Sequence, residues 1–241
     1  MWNKRISGHK EEKRRNMKEE KKENERKKIA VIFPGIGYTC KRPLLYYTAS
    51  EAEDLGYEVI RLDYGEDIHS VKSRDMNDVG DLTDKAVKRS LEQLKDIRFE
   101  KYKDTVMISK SVGTVIAVQT AEKLKINARH FMITPIPNTV PLLKKMHGIF
   151  LSGTGDPYIT KAEVLEAAGK YPDKTGKIYK DCNHSLERKG HTEDNLDNLR
   201  EVVKLLKKFL KKGKKAKQEK QKDEEQEKKK NKEQKSRKQK K

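Results

Sequence analysis

Three side chains in this 241-residue chain have the types that acyl-transfer chemistry uses, and each follows a short apolar run. Ser111 stands in Thr105-Val106-Met107-Ile108-Ser109-Lys110-Ser111-Val112-Gly113-Thr114, ahead of the apolar stretch Val115-Ile116-Ala117-Val118. Asp156 comes at the end of Ile149-Phe150-Leu151-Ser152-Gly153-Thr154-Gly155-Asp156-Pro157, and His184 falls in Ile178-Tyr179-Lys180-Asp181-Cys182-Asn183-His184. A serine hydroxyl is a weak nucleophile until a base takes its proton. An imidazole can be that base near neutral pH, and a carboxylate can fix its tautomer and stabilise the cation it becomes. Singly, each residue has an ordinary reading. S-x-S-x-G is a short pattern, an aspartate before proline is a common turn residue, and a loop histidine is usually a solvated polar group. The chemistry rests on their conjunction.

That conjunction needs elements that bring the three to one place. Between the termini, short β-branched runs alternate with longer amphipathic stretches, the pattern of a parallel sheet covered by helices. The runs place six strands at 28–33, 58–62, 105–109, 130–134, 148–152 and 177–180, with helices over 43–55, 82–94, 112–124, 161–168 and 193–210. In the last helix Leu196, Leu199, Val203, Leu206 and Leu210 recur at steps of three and four, which predicts one apolar stripe docked on the sheet. The fold class expected is α/β, a three-layer sandwich around a mostly parallel six-stranded sheet. All strands of a parallel sheet end on the same edge, and ligands bind in the crevice there. Ser111, Asp156 and His184 each follow a different strand and therefore converge on that edge.

Rival assignments draw on the same loops. Ser109 is the weaker nucleophile candidate, because the glycine wanted two positions on stands after Ser111. Asp181 could orient His184 in place of Asp156, but its closeness in sequence makes a well-aimed carboxylate harder to achieve. Gly35 and Gly37 after the first strand, with Asp63 ending the next, begin a dinucleotide-binding fingerprint. Position 40 is Cys40 rather than the third glycine, and that reading leaves the other three residues unused. A thiol nucleophile at Cys40 or Cys182 lacks the strand-turn-helix setting of Ser111.

The setting of Ser111 resembles the nucleophile elbow of the α/β-hydrolase superfamily, G-x-S-x-G, with Ser109 in place of the first glycine and Gly113 kept. The order Ser111, Asp156, His184 is also that superfamily's order. The resemblance covers about 29–210 and is nearest to small dienelactone-hydrolase-like and esterase-like members. It implies a strand order of 2-1-3-4-5-6 without the superfamily's first two antiparallel strands. It also implies an oxyanion hole made by backbone N–H groups of Ile36 and Val112, with Gly35 or Gly37 as lesser donors in the loop Phe33-Pro34-Gly35-Ile36-Gly37-Tyr38. About a dozen residues, 135–146, separate the fourth and fifth strands where relatives often insert a lid, so an open site is expected. The implied activity is that of a carboxylesterase or thioesterase on a small-molecule acyl substrate, without metal or organic cofactor. Gly35, Gly37, Tyr38 and Lys110 are candidate substrate contacts, with a solvent-facing side chain as the plainer expectation for Tyr38 and Lys110.

Charge is concentrated at the two ends. Residues 1–28 carry 12 Lys/Arg against 6 Asp/Glu and residues 211–241 carry 16 against 6, so +16 of the net +19 belongs to them. With few large apolar residues, such segments cannot offset the entropy of ordering a backbone and are expected to be disordered or at most transiently helical. They would attract nucleic acid or an anionic surface weakly and in a salt-sensitive way, with no aromatic residue in 211–241 for base stacking. The alternative to an enzyme is therefore a catalytically inactive hydrolase-fold binding protein that works through its basic tails. Two cysteines argue against a disulfide framework. The start of the chain lacks the apolar stretch of a secretory signal, no segment is apolar enough to span a bilayer, and a cytoplasmic location is expected.

Overall fold

A computed structural model describes residues 27–69 and 79–212. The two basic ends lie outside the described residues except for two positions at each inner boundary. Six strands form one sheet: β1 (Lys28–Phe33), β2 (Tyr57–Arg61), β3 (Asp104–Lys110), β4 (Arg129–Ile133), β5 (His147–Gly153) and β6 (Thr175–Tyr179). Their order is β2-β1-β3-β4-β5-β6, and every neighbouring pair is parallel. The expected topology and all six expected strands are therefore present, with ends moved by one or two residues.

The helices are α1 (Pro43–Asp54), α2 (Glu66–His69), α3 (Val79–Leu94), α4 (Gly113–Lys123), α5 (Lys161–Lys170) and α6 (192–212). Strand alternation decides which of them each residue meets. Ile29, Val31 and Phe33 of β1 pack on the side of α3 and α4, while Ala30 and Ile32 pack on the side of α1 and α6. Because helices cover both faces, the central strands are buried at nearly every position, as β1 and β3 are, and β1 is apolar from Ile29 to Phe33. Removing each such side chain from water contributes about 1.5–3 kcal/mol, the main term holding the layers together.

Two details differ from the sequence expectation. The seam of α6 is Val202, Leu206 and Leu210, with Leu199, Leu205 and Phe209 beside it, while Val203 is half-buried and Leu196 is 58% exposed. The stripe is rotated because the first turns of α6 face the loop after β6, where Asn195 and Asn198 are engaged, and only the later turns lie on the sheet. The link between β4 and β5 carries a 3₁₀ helix, Pro137–Lys145, that buries Thr139 and Leu143. It is a packed connection of the expected length.

The opposite edge of the sheet is closed by polar bonds. Arg129 pairs with Asp104 at 2.7 Å and donates to the carbonyl of Phe209, and Tyr57 donates its hydroxyl to Asp104. A cleft of about 460 Å³ lies there, lined in part by Phe99, Leu124 and Ile126. Two of its charged side chains, Asp104 and Arg129, already pair with each other, and the chemistry-bearing residues lie at the other edge.

Candidate functional site

At the end of β3 the backbone turns sharply. Ser111 takes φ 57°, a conformation that costs a side-chain-bearing residue energy, and its N–H donates to the carbonyl of Ile133 on β4 at 3.1 Å. Thr114 then donates both its N–H and its hydroxyl to the Ser111 carbonyl, at 2.9 and 2.6 Å, which starts α4 immediately after the turn. Gly113 explains how helix and strand come so close. A β-carbon there would lie 2.3 Å from the Pro34 carbonyl oxygen and 2.4 Å from that of Phe33. Ser109, at the position where the motif usually has glycine, is fully buried and fits. Ser111 is left half-buried at the carboxyl end of β3.

The loops after β5 and β6 are laced together. Thr154 N–H donates to the Tyr179 carbonyl and Gly155 N–H to the Cys182 carbonyl, both at 2.9 Å. Gly153 has no room for a β-carbon, which would meet the Cys182 carbonyl oxygen at 2.2 Å. This lacing brings Asp156 and His184 together, with Nδ1 of the imidazole 2.6 Å from Oδ2 of the carboxylate. The Asp156 side chain is wholly buried and that of His184 is 14% exposed. The other carboxylate oxygen, Oδ1, accepts from the N–H of Tyr158 at 2.9 Å, the two-residue turn that aspartate favours. Asp181, the rival partner, instead adopts φ 55° and uses its N–H on the Thr154 hydroxyl.

The His184 loop is also fastened from below. Asn183 accepts the N–H groups of Ser185 and Glu187, and Asn198 of α6 donates to the carbonyl of buried Leu186 at 3.0 Å. The ring of Tyr158 stands edge-on against the imidazole, 4.7 Å between centres, while the residue stays 44% exposed. Nε2 of His184 is buried and makes no hydrogen bond among the described residues. Burial lowers the proton affinity of this imidazole, and the positive charge of Lys110 adds to that; together they outweigh the opposing bond to Asp156.

The loop after β1 completes the edge. Gly35 closes a tight turn by donating to the Tyr38 carbonyl at 3.1 Å, so its N–H is not free for an oxyanion. The N–H groups of Ile36, Gly37 and Val112 make no hydrogen bond within the described chain. Gly35 lies against the elbow, where an added β-carbon would be 3.1 Å from that of Ser111. Tyr38 is half-buried, with its hydroxyl accepting from Leu44 N–H at 3.1 Å.

Lys110 corrects the expectation of a solvent-facing side chain. It is 1% exposed, lies with its ammonium 4.4 Å from the centre of the Tyr38 ring, and donates to the Thr134 hydroxyl at 3.3 Å. Its position on β3 points it to the face opposite Ser109, into the packing of α1, the Tyr38 loop and the His184 loop. Tyr158 was also missed. The signal available in the sequence was its spacing two residues after Asp156, which a turn closed by the aspartate would require. Both thiols are pushed away from ionisation by burial, that of Cys40 up to about 12, which leaves neither suited to act as a nucleophile. No group of metal-ligating side chains occurs among the described residues.

No protein-family model and no curated protein sequence matches the chain. Solved structures do. A Xanthomonas campestris pv. campestris protein assigned to the alpha/beta hydrolase superfamily superimposes with a TM-score of 0.56 at 18% identity, over 77% of this chain and 99% of that one. A lid-less α/β serine hydrolase from Xanthomonas campestris gives 0.52 at 14%, over 75% and 81%. Est1E from Butyrivibrio proteoclasticus, solved with ferulic acid bound, gives 0.54 at 11%, over 79% and 91%. The chain has the α/β-hydrolase fold. In that fold the edge carrying Ser111, Asp156 and His184 is the one where ligands bind.

Proposed function

We propose that this chain is a serine hydrolase that cleaves an ester or thioester of a small or accessible acyl substrate. The observation that carries the reading is the pairing of His184 Nδ1 with buried Asp156, which leaves Nε2 unpartnered on the sheet edge where Ser111 is held in a strained turn. In this reading Nε2 takes the Ser111 proton as the hydroxyl oxygen attacks the acyl carbonyl. Asp156 holds the tautomer with the proton on Nδ1 and stabilises the imidazolium. The N–H groups of Ile36 and Val112 receive the developing oxyanion. His184 then returns the proton to the leaving alkoxide or thiolate, and water, deprotonated by the same imidazole, releases the acid from Ser111.

The short packed connection Pro137–Lys145 leaves no room for an inserted lid between β4 and β5, which favours accessible substrates. The test is a fluorophosphonate probe followed by mass-spectrometric mapping, with His184→Ala in parallel. Labelling of Ser111 that is lost in the variant is the expected result; folded protein that takes up no probe would overturn the reading.

A further inference from the structure

Lys110 is hard to account for as a structural residue. A methionine or leucine would fill the same space without the cost of removing an ammonium from water. In return for that cost the ammonium has one hydrogen bond, to Thr134, and one aromatic face, that of Tyr38. It makes no ion pair among the described residues. It occupies the position immediately before the Ser111 turn, and both of its partners belong to the same sheet edge. Thr134 follows β4 at φ 46° and bonds to the Leu151 carbonyl of β5, and Tyr38 closes the turn that holds Ile36.

We propose that Lys110 is a positioning residue of this site: its ammonium clamps Tyr38, and with it the loop that carries Ile36, against the ends of β3 and β4, and while protonated it sets a positive charge toward the Asp156–His184 pair. The inference rests on the serine-hydrolase reading for its catalytic meaning. The charged groups that face Lys110 are Asp156 from the loop after β5 and Glu187 from the His184 loop, both attractive to it. Arg42 acts on Tyr38 from the start of α1. Tyr38 stays neutral, its phenol pushed up to about 12 by burial. Facing His184 are Asp156, Lys110 and the ring of Tyr158. A cation in this place opposes a second positive charge on the imidazole, so His184 remains available to accept a proton at lower pH. The same cation attracts the negative charge that develops on the substrate oxygen.

The role is tested by an NMR titration of the His184 imidazole in the full chain, with His184→Asn for assignment. The variants are Lys110→Met, Lys110→Gln as a second neutral replacement, and Lys110→Arg. The midpoint is expected to rise by roughly one pH unit in the two neutral variants and to stay near wild type in Lys110→Arg. Fluorophosphonate labelling of Ser111 in the neutral variants, measured at pH 6.5, where Lys110 still holds its proton, and corrected for the neutral fraction of His184 that the titration gives, is expected to slow about tenfold as the oxyanion loop loses its clamp. A merely structural lysine would not move the titration of another residue. A His184 midpoint unmoved in the neutral variants overturns the role of Lys110 whatever the labelling shows. Absence of labelling in wild type overturns the hydrolase reading, and the imidazole titration needs no activity and so separates the two failures.

Discussion

His184 Nδ1 and Asp156 Oδ2 lie 2.6 Å apart although 28 residues separate them, and the carboxylate has no contact with solvent. Its second oxygen is held by the Tyr158 N–H, so the group cannot turn away. Asp156→Asn keeps that turn but presents an amide to Nδ1. An amide N–H donor there favours the tautomer with its proton on Nε2, the wrong one for a base. In the proposed reaction kcat is expected to fall roughly a thousandfold or more, with little change in KM, as measured on a chromogenic short-chain ester.

The acid side of the pH profile has a definite sign. Burial and Lys110 lower the proton affinity of His184 from its ordinary 6.5. Its neutral, proton-accepting form therefore persists below pH 6.5, and activity should be lost only as pH falls through the lowered value. A plot of log kcat/KM against pH is expected to bend below 6.5; a bend above 6.5 would contradict this environment.

Tyr158 makes a prediction that divides ring from backbone. Its N–H holds Asp156, its ring covers one edge of His184, and its hydroxyl has no hydrogen bond among the described residues. Tyr158→Phe should therefore behave as wild type. Tyr158→Ala keeps the N–H but uncovers the imidazole, and kcat/KM is expected to drop roughly threefold to tenfold. Because the residue is 44% exposed, thermal stability should change little in either variant.

The sheet was legible because its signal is local. Each central strand has a short apolar run at its middle, such as Val106-Met107-Ile108 or Phe131-Met132-Ile133, so the strands of the sequence reading lie within one or two residues of those observed. The edge loops were legible where a motif gave a fixed spacing, as Gly113 does two residues after Ser111. Lys110 was not, because a single lysine between two serines looks the same whether its side chain reaches water or turns inward. Only the packing of Tyr38 and the His184 loop over β3 decides that. The α6 seam failed for a related reason: periodicity gives the stripe, but Asn195 and Asn198, bonded to the loop after β6, set its rotation. Leu196 lies beyond the reach of the sheet as a result.

Gly113 tests the elbow by size alone. A methyl group there meets two carbonyl oxygens of β1 and its following loop, and backbone cannot move as a flexible side chain would. Gly113→Ala is expected to cost about 1–3 kcal/mol in chemical denaturation and to displace Ser111. By contrast Gly169→Ala, where an added β-carbon meets nothing within 4 Å in the helix α5, should be neutral or slightly stabilising.

Lys110 links stability to pH in the direction opposite to an ordinary surface lysine. Burial lowers its proton affinity from 10.5 to about 7, while Asp156 and Glu187 only partly oppose that fall. Between pH 7 and 10.5 the unfolded chain thus binds a proton at this position that the folded chain has released. Stability rises with pH wherever the unfolded state holds more protons. The penalty for burying the ammonium is therefore fully present below pH 7 and is relieved as pH climbs toward 10.5. Lys110→Met removes the titrating group and should stabilise the fold near pH 7 by on the order of a few kcal/mol. The stabilisation should shrink with rising pH in denaturation series taken from pH 6 to 10. A variant that gains stability while its Ser111 reacts more slowly would show the charge to be kept for what it does at the sheet edge and not for the fold it weakens. Equal stability of wild type and Lys110→Met at pH 6 would mean that the ammonium is solvated, contrary to its burial under Tyr38.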